Sequence, residues 1–187
     1  MVSSKPRLTV TQIVYCPFLK APEWLEAKAV RGTIMHALIS QEISQKHGDC
    51  TIEPELVYED EDFILVGHPD VLCNKNDKVL LFEIKPLHHR VRDEWLMQIN
   101  IYASMVYMSY KKPVEAFIVM YNGQNTTINR IFADIEYLQR ALPSIRDYVR
   151  LHTKGKLRKR TYLCRYCQDT ECPLKYNEQR KFHFEPM

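Results

Sequence analysis

Between Val66 and Lys85 the chain sets two carboxylates and a lysine inside runs of β-forming, apolar residues: Val-Gly-His-Pro-Asp-Val-Leu-Cys, a polar turn, then Lys-Val-Leu-Leu-Phe-Glu-Ile-Lys. A charge buried without compensation is expensive, so Asp70, Glu83 and Lys85 in such company imply something that binds them, and a divalent cation is the simplest candidate. Residues two apart on a strand share a face, which sends Leu81, Glu83 and Lys85 one way and Leu80, Phe82 and Ile84 the other. A two-residue hairpin turn at Asn76-Asp77, between Lys75 and Lys78, then places Asp70 directly opposite Glu83. Both carboxylates and the ammonium meet at one spot.

The rest of the chain supplies elements around that hairpin. Leu8 to Tyr15 reads as a short helix opened by Thr9 or Thr11, and Pro22-Glu23-Trp24 starts a longer one that carries Gly32 and His36 on one face and closes at His47-Gly48. Thr51 to Tyr58, Phe63 to Cys73 and Val79 to Lys85 are strand-like and suggest an antiparallel meander. Arg92 to Tyr110 is helical, with Trp95, Ile99, Tyr102, Ala103 and Val106 in one stripe and Gln98 and Tyr102 an i, i+4 pair. Pro113 to Tyr121 is a buried strand, paired with Thr126 to Ala133 across Asn122-Gly123, and Asp134 caps a helix reaching Leu151. The expectation is an α/β (mixed α+β) fold, a central mixed sheet flanked by helices.

At 187 residues and 45% hydrophobic, the chain suits a single domain. It has no apolar run long enough for a membrane span, and Met-Val-Ser-Ser-Lys-Pro-Arg lacks the apolar core of a signal peptide. The expected location is cytoplasmic, with no membrane partner. The net charge of +3 is modest but uneven. Arg150 through Arg165 holds seven Lys or Arg and no acid, whereas Glu53 to Asp62 holds six acids in ten positions. A basic stripe of that kind can follow a phosphate backbone.

His36, Asp70, Glu83 and Lys85 form the first chemical constellation. Carboxylate oxygens suit Mg²⁺ or Mn²⁺, and an imidazole in the shell favours Mn²⁺. Such a cation would polarise a phosphodiester and acidify a water, with Lys85 orienting that water or steadying charge on phosphorus. The second constellation is Cys16 with Cys164-x-x-Cys167-x-x-x-x-Cys172. Four soft ligands fit an iron-sulfur cluster or Zn²⁺ equally well. Six cysteines in a chain without a secretion signal argue against a disulfide scaffold and for metal or redox chemistry. Cys50 and Cys73 stand outside both sets; Cys73 falls in a strand run and Cys50 just before one, and both read as small core or surface residues without a role.

Gly32-x-x-x-His36, Gly67-His68-Pro69-Asp70, Glu83-Ile84-Lys85 and Gln98-x-x-x-Tyr102 together resemble the RecB-type branch of the PD-(D/E)XK nucleases. That resemblance implies a restriction-endonuclease-like core in which His36, Asp70, Glu83 and the Ile84 carbonyl hold the metal, Lys85 is the catalytic lysine, and Gln98 and Tyr102 lie beside the DNA strand. The wider layout, an early Cys-Pro, the nuclease core and three late cysteines, resembles the CRISPR-associated Cas-four exonuclease family. It implies a structural [4Fe-4S] cluster on Cys16, Cys164, Cys167 and Cys172, with residues 1–31 and 152–187 forming an iron-sulfur module around a core at 32–151. It also implies exonuclease and endonuclease action on single-stranded DNA or DNA ends, in CRISPR spacer acquisition beside the integrase or in viral DNA processing. Monomer and homo-oligomer are both compatible with it. On this reading the basic run, with Tyr148, Tyr162 and Tyr166, lines a single-strand channel or packs around the cluster. The alternative is a non-cutting DNA-binding or decoy module that interferes with acquisition, against which His36, Asp70, Glu83, Lys85 and Gln98 all stand intact.

Overall fold

The Asn76-Asp77 turn sets the hairpin register expected of it. Lys75 N–H donates to the Lys78 carbonyl at 2.8 Å, and Val71 faces Phe82, Leu72 faces Leu81 and Cys73 faces Leu80. This is a computed structural model that describes residues 5–15, 23–122 and 124–152, with the side chains of residues 23–32, 151 and 152 excepted. Its elements run β1 (Arg7–Thr9), α1 (Val10–Val14), α2 (Glu23–His47), β2 (Cys50–Ile52), β3 (Leu56–Glu59), β4 (Ile64–Gly67), β5 (Val71–Asn74), β6 (Val79–Pro86), α3 (Asp93–Tyr110), β7 (Val114–Tyr121), β8 (Thr126–Ile131) and α4 (Tyr137–His152). Thr9 caps α1 through a capping box with Gln12, as the Thr-x-x-Gln spacing requires.

The strands form two sheets, of order β1-β4-β3 and β2-β5-β6-β7-β8. β6 and β7 are parallel, and α3 supplies the crossover such a pair needs. The expected three-strand meander is therefore replaced by five short strands shared between the two sheets. Its first run breaks at Glu53-Pro54-Glu55, where Glu53 takes a left-handed conformation (φ 49°), and its second at His68-Pro69-Asp70. Proline lacks the ladder N–H, so neither Pro54 nor Pro69 continues its strand, and at each break the chain passes from one sheet to the other.

The larger sheet buries both faces. Leu72, Leu81, Ala116, Ile118 and Met120 pack with α1, α3, α4 and the smaller sheet, while Val71, Leu80, Phe82, Ile84 and Val119 pack under Ile39 and Ile43 of α2. The alternation along β6 is the one expected. The stripe Trp95, Ile99, Tyr102, Ala103, Val106 is buried on α3. α4 is tied to α3 by the Leu138 amide donating to Ser104 Oγ at 3.1 Å, and to α1 by Tyr148 Oη donating to the Gln12 carbonyl at 2.5 Å. Tyr148 is thus a buried tyrosine whose hydroxyl ties α4 to α1.

Cys50 and Cys73, expected to have no role, face each other across β2 and β5 and form a disulfide. The argument from composition concerns compartments; cross-strand register brings the pair together regardless. Cys16, Cys164, Cys167, Cys172, Tyr162, Tyr166 and the basic run beyond His152 lie outside the described residues, as do Gly123 and the side chains of Trp24, Leu25 and Ala29. Among the described residues no helix is long and apolar enough to cross a membrane.

The acidic run is spent on pairing. Lys5 pairs with Glu59, Arg7 with Glu55, and Arg146 of α4 grips buried Asp60 through Nε and Nη2 at 3.0 and 2.9 Å. Those bonds hold the Asp60 carboxyl below the usual aspartate range, against the opposing effect of burial. Because the folded value is depressed, the stabilisation is complete above the unfolded pKa of about 4 and is lost as pH falls through the lower folded value. Asp60→Asn should cost about 1–2 kcal/mol at pH 7, discounted for the exposed side of Arg146, and should flatten the loss of thermal stability below about pH 5. Melting curves from pH 7 to pH 3 check both.

Candidate active site

The β5–β6 ladder stops at Val71 opposite Phe82, yet β6 runs on beside β7 to Pro86. Among the described residues no strand continues along that edge of β6, and the Ile84 N–H and C=O face it. Two side chains take them up. Asp70 Oδ2 accepts from the Ile84 N–H at 2.5 Å, and His36 Nε2 lies 3.1 Å from the Ile84 carbonyl oxygen and 3.2 Å from Asp70 Oδ2. Asp70 arrives from the break before β5, its own carbonyl accepting from Glu53 N–H at 2.9 Å, and His36 arrives from α2 on the opposite face to Glu83.

Glu83 and Lys85 project toward α3. Lys85 Nζ donates to Glu83 Oε1 at 2.7 Å and to Gln98 Oε1 at 2.8 Å, and Gln98 Nε2 donates to Tyr102 Oη at 3.2 Å. Tyr102 fits because residue 67 is glycine: a Cβ there would lie 2.8 Å from Tyr102 Cε1. The Glu83 and Lys85 side chains are 3% and 14% exposed. Glu83 Oε2 is buried with no hydrogen-bond partner among the described residues.

Burial pushes the Glu83 carboxyl up to about 7, with Asp70 adding to the effect and Lys85 opposing it. Burial works against the Lys85 ammonium too, but the adjacent Glu83 carboxylate outweighs it and holds the lysine above its ordinary value. Burial and then Glu83 raise Tyr102. For His36, burial lowers the pKa, but the Asp70 hydrogen bond and charge, the Ile84 carbonyl and Glu83 raise it overall.

One imidazole nitrogen, the Asp70 carboxylate, a backbone carbonyl and an orphaned carboxylate oxygen are the donor chemistry that Mn²⁺ or Mg²⁺ accepts. The raised His36 reflects the same concentration of oxygen donors, which favours a proton there as it would a cation. Among the described residues, no three His, Cys, Asp or Glu side chains converge as a ready-made shell, since Glu83 turns Oε1 to Lys85. The residues fit the metal by donor type and by the unpartnered Oε2. The structure thus assembles His36, Asp70, Glu83, Ile84, Lys85, Gln98 and Tyr102. Sequence reasoning passed over the segment that follows, Leu87 to Arg92, although its two adjacent histidines and two arginines directly after Lys85-Pro86 were a signal.

No protein-family model matches the chain, and no curated protein matches it by sequence. Among solved structures, the crystal structure of SSO0001 superposes with a TM-score of 0.67 at 16% identity, over 94% of this chain and 89% of that one. At that identity the likeness shows a shared fold and nothing finer. The "Putative exonuclease" of Eubacterium rectale superposes at a TM-score of 0.41 and 13% identity, over 76% of this chain and 57% of that one, too loosely to support an argument.

The ion pair predicts an asymmetry. In Lys85→Met, Glu83 is expected to take up a proton, because its carboxyl already sits at about 7. In Glu83→Gln the buried ammonium loses its counter-charge, at a cost of about 3 kcal/mol. Urea unfolding at pH 6 with chelator present should therefore find Lys85→Met the more stable of the two. Lys85→Met should weaken as pH rises from the unfolded carboxylate value of about 4 through 7 and beyond, the direction set by a raised folded pKa.

Proposed function

We propose that this chain is a metal-dependent nuclease of the RecB-like PD-(D/E)XK type that hydrolyses phosphodiester bonds in single-stranded DNA, and within that type a Cas-four exonuclease. The observation that carries the reading is Lys85, a buried ammonium fixed between Glu83 and Gln98 beside the corner built from His36, Asp70 and the Ile84 carbonyl. A buried lysine and two buried acids at a sheet edge cost stability and make sense where an anionic group is to be held and attacked.

On this reading His36, Asp70, Glu83 and the Ile84 carbonyl hold Mn²⁺ or Mg²⁺. When bound, that cation supplies a Lewis acid for the phosphodiester and acidifies a water. The chain's own residues do the rest. Lys85 Nζ, which cannot swing away while Glu83 and Gln98 hold it, presents positive charge to the phosphate oxygens where negative charge grows in the transition state. Gln98 positions Lys85, and Tyr102 fixes the amide orientation of Gln98. Cys16, Cys164, Cys167 and Cys172 carry a [4Fe-4S] cluster, with Zn²⁺ as the alternative. The partners are single-stranded DNA or DNA ends and, in a cell with CRISPR arrays, the integrase; the location is cytoplasmic.

Incubating end-labelled single-stranded DNA with Mn²⁺ should give degradation by the wild type and a loss of at least about 100-fold in Lys85→Ala. Equal rates in both proteins, or none in either, would sink the nuclease reading in favour of a non-cutting binder. Protein purified without oxygen should show a broad absorption around 400 nm from the cluster, and a colourless, zinc-loaded protein would overturn the iron-sulfur assignment in favour of Zn²⁺ on the same four cysteines.

A further inference from the structure

The chain leaves β6 through a segment that the catalytic scheme does not use. Leu87 N–H donates to the Tyr121 carbonyl at 2.6 Å, which pins the exit of β6 to the end of β7. His88, His89, Arg90 and Arg92 follow before α3 begins. Two of these residues, His88 and Arg92, are seated on α3. Trp95, 3% exposed, is their pedestal: the Arg92 guanidinium lies 5.4 Å from its ring centroid, and the His88 ring meets it edge-on at 6.2 Å. His88 Nδ1 lies 3.1 Å from the Arg90 carbonyl oxygen, and the His88 and His89 rings stand 4.0 Å apart.

Where the segment meets solvent it presents the fixed positive charge of Arg90 beside an imidazole that stays mostly neutral and offers a hydrogen bond. His89 and Arg90 are exposed, and the His89 imidazole is held below its ordinary value first by the charge of His88, then by slight burial and by Arg90 and Arg92. Asp93 and Glu94 come next, in the first turn of α3, where the helix N-terminus takes up their charge. Trp95 and Gln98 are one turn apart on α3, so the element that seats this segment also holds Lys85. Arg90 lies five positions after Lys85, a reach of at most about 17 Å, or a few nucleotides of an extended strand.

We propose that the segment from Leu87 to Arg92 is the ledge along which a single nucleic-acid strand runs to Lys85, its phosphates held by Arg90, Arg92 and the His88–His89 pair. The proposal rests on the nuclease reading for the strand's destination and adds the path. Arg90 and His89 face solvent and meet the backbone directly, and Arg92, stacked on Trp95, is fixed closer to α3. Imidazole pairs and guanidinium planes also offer flat surfaces to unpaired bases, so the ledge accepts a strand without reading its sequence.

The test is fluorescence anisotropy of a labelled oligothymidylate of about 20 nucleotides, titrated with full-length protein in EDTA across a potassium chloride series. The variant is His89→Ala/Arg90→Ala, with Arg140→Ala, an exposed arginine on α4, as control. The double variant should bind about tenfold more weakly, with a salt slope shallower by about 1, while the control keeps wild-type values. With Mn²⁺, its KM should rise far more than its kcat falls. Wild-type affinity and slope in the double variant, or an equal loss in Arg140→Ala, would overturn the ledge. Because binding is read in EDTA, a protein that binds through His89 and Arg90 but never cuts would refute the nuclease while keeping the ledge. One that cuts with unchanged KM in the double variant would do the reverse.

Discussion

A single interrupted rung of β-ladder organises this protein. β6 outruns β5, and the Ile84 N–H and C=O would face an open edge if Asp70 and His36 did not complete the pairing. A buried backbone group left without a partner is destabilising, so the fold is committed to placing an acid and an imidazole at that corner. The same commitment leaves a carbonyl, a carboxylate and a ring nitrogen within about hydrogen-bond reach of one another, a cluster of donors that an uninterrupted sheet would never present.

The second commitment lies on the other face of β6. Glu83 and Lys85 are buried together, and an ion pair out of water seldom repays its own desolvation. What the pair gains is fixity. Gln98 orients the lysine, Tyr102 orients Gln98, and the tyrosine ring sits where it does because Gly67 has no side chain. That chain of contacts runs from the last residue of β4 to a turn of α3, so Glu83 and the ammonium are set by one packing arrangement.

Much of this was legible in the sequence, for physical reasons that vary by residue. The register from Val71–Phe82 to Asn74–Val79 followed from a two-residue turn and the stripe on α3 from helical periodicity, both local rules, but the ladder stops one rung short of Asp70 and Glu83, and Asp70 turns to the Ile84 N–H instead. The division into two sheets was not legible as a meander, because Pro54 and Pro69 act through which neighbour a strand can accept, and strand neighbours are a property of the whole fold. Cys50 and Cys73 were misjudged for the same reason: pairing β2 with β5 requires the sheet order before the register can be written. Tyr148 was grouped with the basic run, and its bond to the Gln12 carbonyl was not legible because α1 and α4 lie more than a hundred residues apart in the chain. The thiolates Cys16, Cys164, Cys167 and Cys172 stay an inference from their spacing.

His36 and Asp70 come from elements that share no strand pairing of their own, so their alignment has to be imposed from elsewhere. The link is β2, the short strand that follows α2. It pairs with β5 next to Asp70, the Cys50–Cys73 disulfide crosses that pairing, Glu53 binds the Asp70 backbone, and Lys75 Nζ reaches back to the carbonyls of His47 and Gly48 at the end of α2. Together these tie the end of the helix bearing His36 to the hairpin bearing Asp70, from the Lys75 contacts at one end of β2 to the Glu53–Asp70 bond at the corner itself. A helix held at that end still has freedom to tilt, and the apolar contact of Ile39 and Ile43 with the sheet removes it. The geometry of the corner is therefore a consequence of how β2 is fastened, and changes in that fastening should reach His36 before they reach Glu83 or Lys85, whose positions depend on α3.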